Sequence, residues 1–160
     1  MAATTMRSIS SITNQIPLDC PEIIFASGDD FYWESTVNTI HHPPISTKEQ
    51  LYLLLHEIDH ANLGHSNYSS GAELLRMERD AWNYATNQLA AKYELDIDAL
   101  SELAEVALDS YRDWLHRRST CPECGAVGAE GSKDTFNCLV CHQSWRANEA
   151  RSCQLRRYQK

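Results

Sequence analysis

Apolar residues recur at helical spacing in three stretches of the chain. The first stretch follows Ser46 and Glu49, which form a capping-box signature, and ends at Gly64, a residue type that often terminates helices. The apolar positions of this predicted helix are Leu51, Leu54, Leu55, Ile58 and Ala61. Because they are three or four residues apart, they share one helical face and predict packing against a core.

Two further helices are predicted downstream. Ser70 and Glu73 form a second capping-box signature, which opens a helix that runs to about Glu94. Its apolar stripe comprises Leu74, Leu75, Ala81, Trp82, Ala85 and Leu89. Asp96 or Asp98 caps a third helix, whose apolar positions are Leu100, Leu103, Ala104, Ala107, Tyr111, Trp114 and Leu115. We interpret the third helix as a cover for the core, without chemistry of its own.

Strands are predicted ahead of the first helix. Residues 22–26 (E-I-I-F-A) form a short apolar run that ends at a Ser-Gly-Asp-Asp turn. Residues 31–41 are rich in aromatic and β-branched side chains and predict one bent strand or a hairpin, which Pro43 and Pro44 end. The pattern therefore favours an α+β fold with a small antiparallel sheet before the helices.

The first helix carries a candidate metal site. His56, Glu57 and His60 form the H-E-x-x-H pattern, and residues at i and i+4 share a helical face, so both imidazoles can reach one ion. Glu57 can then take a proton from a water molecule polarised by that ion. The alternative is an ordinary amphipathic helix with histidines on its polar face.

A third ligand is predicted from the second helix. Glu78 falls on the apolar stripe of that helix, three or four residues from its apolar neighbours. A buried carboxylate without a partner is costly, so burial at this position indicates a cation. We therefore predict Glu78 as the third ligand. The alternative is a carboxylate at the edge of the stripe that reaches water.

Three other histidines lie near this pattern. His41 and His42 precede the double proline and can approach the metal, although such residues are more often solvated at a strand end. His65 follows Gly64, where it can donate a hydrogen bond to a developing oxyanion or interact with the dipole at the carbonyl end of the helix. We favour the dipole or a surface role for His65.

Four of the six cysteines form two C-x-x-C pairs with 13 residues between them. They are Cys121, Cys124, Cys138 and Cys141. This spacing predicts a structural zinc held by four thiolates, in a ribbon with too little core to fold without metal. Cys138 to His142 also matches c-type haem attachment, but haem would leave the first pair unexplained. Cys20 and Cys153 are ordinary thiols in this interpretation.

Charge is distributed unevenly along the chain. Residues 1–115 contain 6 Lys/Arg and 18 Asp/Glu, whereas residues 116–160 contain 8 and 4. This change predicts a domain boundary near residue 117 and argues against nucleic-acid binding by the acidic part. No apolar run reaches the ~20 residues of a membrane helix. With no secretory signal at the N-terminus, metal-type cysteine spacing predicts a reducing cytoplasm and no membrane partner.

Two segments resemble a known family. T-I-H-H-P-P-I-S-T-K-E-Q-L-Y-L-L-L-H-E-I-D-H-A-N-L-G-H at 39–65 and R-M-E-R-D-A-W-N-Y-A-T-N-Q-L-A at 76–90 resemble the ImmA/IrrE family of small metallopeptidases. The resemblance covers less than half of the chain. It implies a gluzincin-type site, and it implies a protein substrate such as a phage or stress-response repressor, often in the context of a mobile element.

The residues that the resemblance implies are the ones already singled out. They are the zinc ligands His56, His60 and Glu78 and the general base Glu57. Asp59 departs from the family, which usually has a small residue such as glycine there, and would add negative field near the zinc. The helix-turn-helix domain common in relatives is missing, and the zinc ribbon is an unusual addition.

The predicted fold is thus α+β, with the sheet packed on a zincin-type helical core and a small zinc ribbon after it. The predicted divisions are a flexible arm at 1–19, a metallopeptidase domain at 20–117, a four-cysteine zinc ribbon at 118–146 and a basic tail at 147–160. The predicted function is a zinc-dependent endopeptidase with one catalytic and one structural Zn2+.

Two alternatives to this function stay open. In the first, both zinc ions are structural, and the ribbon with its basic tail is a non-enzymatic adaptor that binds protein or nucleic acid. In the second, the chain is similar to SprT-like proteases, which join a zincin to a zinc ribbon and act on DNA-bound proteins. Their third ligand is a histidine, however, and no suitable histidine follows residue 65.

Overall fold

The structure, a computed structural model of the chain, describes residues 7–159. The elements in chain order are α1 (Ile9–Asp19), β1 (Ile24–Ser27), β2 (Tyr32–Glu34), β3 (Thr39–His42), α2 (Lys48–Asn62), α3 (Gly71–Tyr84), a π-helical turn (Ala85–Leu89), α4 (Ala90–Lys92), α5 (Ile97–Ser119), β4 (Gly128–Ser132), β5 (Thr135–Cys138), β6 (Ser144–Ala147) and β7 (Arg157–Gln159). The α+β prediction is confirmed. Among residues 7–159, no helix is both long and apolar enough to span a membrane.

The chain divides into two compact units. Unit 1 runs up to residue 66 and resumes at 77–105, whereas unit 2 comprises residues 67–76 and 106–160. The division points fall inside α3 and α5, so each of these helices contributes residues to both units. The predicted boundary near residue 117 is therefore wrong, because α5 continues unbroken past the change in charge to Ser119.

The prediction of a flexible arm is wrong for residues 9–19, which form helix α1. Ser8 caps this helix by accepting a hydrogen bond from the Ser11 N–H at 3.2 Å. Ile12 and Ile16, one turn apart, are buried in the core of unit 1. Two apolar residues in a Ser/Thr-rich segment gave little periodic signal, so composition outweighed a helix that is held by tertiary packing. Residues 1–6 of the predicted arm lie outside the described residues.

A polar cluster fastens the end of α1 to the rest of unit 1. The Asp19 carboxylate accepts hydrogen bonds from Gln15 Nε2 at 2.8 Å and from the Tyr93 hydroxyl at 2.9 Å. The Lys92 ammonium lies 3.0 Å from the same carboxylate. The Gln15 and Lys92 contacts lower the pKa of Asp19 to about 2, with Tyr93 adding to the shift. The carboxylate is therefore charged and partnered at neutral pH.

The sheet of unit 1 is mixed rather than purely antiparallel. Its strand order is β1-β3-β2, with β3 parallel to β1 and antiparallel to β2. The β2–β3 hairpin is one of the two forms predicted for residues 31–41. The antiparallel prediction assumed that consecutive strands pair, whereas β1 pairs with β3 on the side away from β2.

Helix α2 begins one residue later than its sequence signature indicates. The capping box is formed by Thr47 and Gln50 rather than by Ser46 and Glu49. The Gln50 N–H donates to Thr47 Oγ1 at 3.2 Å, and the Thr47 N–H donates to Gln50 Oε1 at 3.1 Å. At the other end Gly64 has φ +66°, which confirms the left-handed terminus. The apolar face of α2 is buried through Leu51, Leu54, Leu55 and Ile58.

The predicted second helix is present but changes its winding. Helix α3 passes into the π-helical turn and then into α4, which ends at Lys92. Ala81, Trp82, Ala85 and Leu89 of the predicted stripe are buried. The cap of α5 is also as predicted, because Asp96 Oδ1 accepts from the Ala99 N–H at 3.1 Å.

Unit 2 contains an antiparallel sheet in the order β4-β5-β6-β7. Phe136 and Trp145 stack at its centre with ring centroids 5.6 Å apart. The predicted basic tail at 147–160 is wrong as a separate segment, because residues 157–159 form β7 and pair with β6. The prediction that the ribbon ends at residue 146 is wrong for the same reason. Pairing between strands this far apart in sequence has no local signature.

The docking of α1 can be tested by truncating its buried face. We expect Ile16→Ala to lower the free energy of unfolding by about 2 to 4 kcal/mol, because Ile16 is 0% exposed. Leu18→Ala in the same helix is the matched control, since Leu18 is 73% exposed, and its effect should stay within about 0.5 kcal/mol. Urea unfolding followed by circular dichroism measures both. Equal, small effects would indicate an undocked arm.

Candidate metal centres

Helices α2 and α3 bring together the three ligands predicted for the first metal site. His56 Nε2 lies 3.0 Å from Glu78 Oε2 and 3.0 Å from His60 Nε2. His60 Nε2 lies 3.6 Å from the other Glu78 oxygen. One ligand atom from each residue falls within 4.8 Å of the others, so the three groups can hold one metal ion. The geometry shows the convergence expected from the i, i+4 spacing and from the place of Glu78 on its stripe, and metal binding by the three residues stays a prediction.

The separations match those expected around a tetrahedral ion. With metal–ligand bonds of about 2.1 Å, tetrahedral ligand atoms are roughly 3.4 Å apart. All three residues are buried, and Glu78 is only 6% exposed. The alternative in which Glu78 reaches water at the edge of its stripe is therefore wrong. A tetrahedral ion held by these three residues would keep one position for a water molecule or substrate.

The pKa shifts of His56 and Glu78 suit metal binding. Burial lowers the pKa of His56, which favours the neutral imidazole. Burial acts to raise the pKa of Glu78, but the contacts with His56 and His60 together outweigh it and hold this pKa well below its usual range. A neutral imidazole and an ionised carboxylate are the forms that ligate metal ions.

The ring of Trp82 supports the first histidine. Trp82 stacks on His56 with ring centroids 4.1 Å apart and an interplanar angle of 18°. The sequence places Trp82 on the core stripe of α3 and gives no sign of this second role. Among the described residues, His56 Nδ1 and Trp82 Nε1 are buried without a hydrogen-bond partner. Stacking on Trp82 therefore orients the His56 ring together with the contact between His56 Nε2 and Glu78.

His65 contacts the second histidine directly. Its Nδ1 lies 2.8 Å from His60 Nδ1, on the opposite side of the His60 ring from Glu78. This contact was not predicted, and the dipole or surface role of His65 stays a prediction. The available signal was its position directly after the terminating Gly64, where the chain turns back over the last turn of the helix.

Glu57, the predicted general base, is held by the edge strand β2. Glu57 Oε2 accepts a hydrogen bond from the Trp33 backbone N–H at 2.9 Å. Trp33 is in register with Ile40 of β3, yet its N–H donates to Glu57 and not to β3. Nothing in the sequence signals this backbone contact. It fixes one oxygen of the carboxylate next to the first ligand.

Asp59 is buried and lacks a close partner among the described residues. Its Oδ2 is unpaired, and its Oδ1 has a long 3.5 Å contact with Asn62 Nδ2. Burial raises the pKa of Asp59 to about 8, although the Asn62 contact acts to lower it. In the metal-free protein this side chain is therefore mostly neutral at pH 7. The negative field that was expected from Asp59 is therefore mostly absent in the metal-free protein at pH 7.

The two strand-end histidines have other partners. His41 stacks on Tyr32 with centroids 4.5 Å apart and lies 3.2 Å from Glu34 Oε2. His42 Nδ1 lies 2.7 Å from the Pro43 carbonyl oxygen. Neither belongs to the ligand group around His56. These contacts favour a strand-end role for His41 and His42 over a role in metal binding.

The four predicted cysteines form the second candidate centre. Cys121 Sγ lies 3.6 Å from Cys141 Sγ, and Cys124 Sγ lies 3.5 Å from Cys138 Sγ. These separations exceed the ~2.05 Å of a disulfide and approach the roughly 3.8 Å of sulfurs around a tetrahedral ion. The four sulfurs can therefore bind a metal ion. Cys20 is buried and Cys153 is exposed, both as free thiols.

The two C-x-x-C turns share one backbone design. In the first, the Cys121 N–H donates to the Ala126 carbonyl at 2.8 Å, and Gly125 has φ +75°. In the second, the Cys138 N–H donates to the Gln143 carbonyl at 2.8 Å, and His142 has φ +63°. Each left-handed residue directly follows the second cysteine of its pair. The repeated geometry turns both sulfurs of a pair toward one point.

Backbone amides stabilise a thiolate in this centre. The Cys141 and Val140 N–H groups each donate to Cys138 Sγ at 3.4 Å. These contacts, that of Cys141 first, lower the pKa of Cys138 to about 6. The thiolate is the form that binds metal, so this side chain is prepared for ligation at neutral pH.

Comparison with models of known protein families, with curated proteins and with solved structures finds no match to the chain.

The buried carboxyl of Asp59 predicts a pH-dependent gain on substitution. The raised pKa means that the folded state retains a proton that the unfolded state releases above about pH 4. Stability is therefore lost as pH rises from about 4 to about 8. In chelator-treated protein, Asp59→Asn should raise the free energy of unfolding by on the order of 5 kcal/mol at pH 8.5 and by little at pH 4.

The exposed Glu102 of α5 offers a matched control for this measurement. Glu102→Gln should change the unfolding free energy by less than about 0.5 kcal/mol at either pH. Denaturant unfolding at a series of pH values gives both curves. A gain for Asp59→Asn that does not vary with pH would show that burial does not shift this carboxyl.

Proposed function

We propose that the chain is a zinc-dependent endopeptidase, with one catalytic zinc in unit 1 and one structural zinc in unit 2. The observation that carries the proposal is the convergence of His56, His60 and Glu78, all buried, within 4.8 Å. Two imidazoles and a carboxylate with one remaining position are the donor set of hydrolytic zinc sites. The resemblance to the ImmA/IrrE metallopeptidases supports the same assignment.

The residues of unit 1 divide the work of hydrolysis. His56, His60 and Glu78 would hold the zinc. The ion would lower the pKa of the water bound to it and polarise the peptide carbonyl. Glu57 takes the proton from the attacking water and later delivers it to the leaving amine. The Trp33 N–H donates to Glu57 Oε2 at 2.9 Å and keeps that carboxylate oriented.

The cysteine centre is closed to chemistry in this proposal. Four sulfurs fill a tetrahedral zinc completely, so no position is left for water or substrate. Its role is to fasten the two C-x-x-C turns of unit 2, whose buried cluster is small. Thiols that must stay reduced fit the reducing environment of the cytoplasm.

The proposed partner is a protein substrate, such as a regulator from a phage or a stress response. Leu139 and Val140, between the second pair of cysteines, are 72% and 68% exposed and favour a protein contact for the ribbon as well. Nucleic acid is less favoured, because several basic side chains already have partners in unit 2. Arg118 is buried beside Asp134, and Arg151 donates to the Tyr111 hydroxyl.

The general-base assignment can be tested at Glu57. We expect Glu57→Gln to keep both zinc ions but to slow cleavage at least about 100-fold, because the amide cannot accept the proton from water. The measurement is mass spectrometry of new termini in β-casein and in a proteome-derived peptide mixture, with zinc content from native mass spectrometry.

Two control variants separate the base from the ligands and from the helix. Glu78→Ala should lose cleavage together with one zinc ion, because it removes a ligand. Glu49→Gln changes an exposed residue of α2 and should retain both zinc and cleavage. Full activity in Glu57→Gln would refute the role of the base. Failure of the zinc-loaded wild-type protein to cleave either probe would contradict the peptidase proposal.

A further inference from the structure

We propose that His65 is a positioning residue for the zinc site. His65 accepts a hydrogen bond from His60 Nδ1 and so fixes the orientation and tautomer of that ligand. The inference rests on the metal-binding part of the proposed function. It assigns His65 to the support of a ligand, without contact with the metal or substrate.

The end of helix α2 places His65 over His60. The Gly64 N–H donates to the Ala61 carbonyl at 3.1 Å, and the His65 N–H donates to the His60 carbonyl at 3.0 Å. With Gly64 at φ +66°, these bonds form a Schellman motif. Such a motif brings the side chain after the glycine against the side chain five residues earlier, usually in an apolar contact. Here two imidazoles replace the apolar pair.

The contact with His65 involves Nδ1 of His60, whereas Nε2 of the same ring faces the other candidate ligands. His60 Nε2 faces His56 Nε2 at 3.0 Å and Glu78 Oε1 at 3.6 Å, whereas Nδ1 faces His65 Nδ1 at 2.8 Å. The two rings of this pair are inclined at 63° with centroids 5.0 Å apart. His65 is therefore an edge-on partner of His60, on the side away from the ligand group.

Metal binding decides the direction of this hydrogen bond. A metal ion on His60 Nε2 takes the lone pair of that nitrogen, so the proton of the neutral ring must sit on Nδ1. The Nδ1–H then donates to His65 Nδ1, which must carry its own proton on Nε2. A ligating histidine with such an acceptor is held in the ligating tautomer, and loss of the acceptor typically weakens metal affinity 10- to 100-fold.

Two substitutions of His65 distinguish an acceptor from a space-filling group. His65→Asn places an amide oxygen close to the position of Nδ1, so the acceptor is kept. His65→Leu has similar bulk and cannot accept a hydrogen bond. Both leave Gly64 and the backbone of the motif unchanged.

Zinc affinity, measured by competition with a chromophoric chelator, is the main readout. We expect His65→Leu to weaken zinc binding at the His56, His60 and Glu78 site 10- to 100-fold, and His65→Asn to stay within about 3-fold of wild type. Thermal unfolding of the metal-free proteins is the structural check. It should not separate the two variants by more than about 2 °C if His65 acts on the metal site and not on folding.

The tautomers provide an independent readout in the zinc-loaded wild-type protein. Two-bond 15N–1H correlations should show the proton of His60 on Nδ1 and that of His65 on Nε2. A His65 ring with its proton on Nδ1 would overturn the inference. Equal zinc affinities for wild type, His65→Leu and His65→Asn would overturn it as well, as would an Asn variant as weak as the Leu variant.

These results separate the inference from the proposal on which it rests. None of the readouts uses cleavage. If the wild-type chain binds only one zinc ion, the metal site itself is refuted, and the role of His65 with it. If it binds two and His65→Leu has no effect, only the role of His65 is refuted.

Discussion

The structure of unit 1 holds one costly arrangement, the buried carboxylate of Glu78 enclosed with the imidazoles of His56 and His60. Taking the charge of Glu78 out of water costs several kcal/mol unless a cation compensates for it. The surrounding elements hold the cluster in place, because both ends of α2 are capped and Trp82 stacks on His56. The burial of apolar side chains along α2 contributes favourable free energy of folding, which offsets the cost of burying this charged site.

The two candidate centres differ in the type and the number of their donor atoms. The sulfur centre has four ligands from two matching turns, which is a closed design suited to fastening a small unit. The His/Glu centre has three candidate ligands, and Glu57, the residue after His56 in the chain, has its orientation set by a strand amide. An open position beside a carboxylate is what hydrolysis needs, so the proposed division into catalytic and structural zinc follows from ligand number and chemistry.

Local spacing made the grouping of the candidate metal ligands predictable, whereas contacts between distant segments were not predictable in this way. H-E-x-x-H and C-x-x-C encode ligand geometry within one turn, and Glu78 stood out as a charge on an apolar stripe. Helix α1 is not predictable from spacing, because its two buried isoleucines give little periodic signal. The pairings of β1 and β7 have no local signature in the sequence. The contact between His65 and His60 has no signature in the residue spacing, because it depends on the left-handed turn at Gly64.

The most direct test of this account is anomalous X-ray scattering from crystals of the zinc-loaded protein, recorded on both sides of the zinc absorption edge. Two peaks are expected, one among the four cysteines and one bonded to His56, His60 and Glu78 at about 2.0 to 2.2 Å. A single peak at the cysteines, with the Glu78 side chain turned to solvent, would contradict the account and leave unit 1 without a metal site.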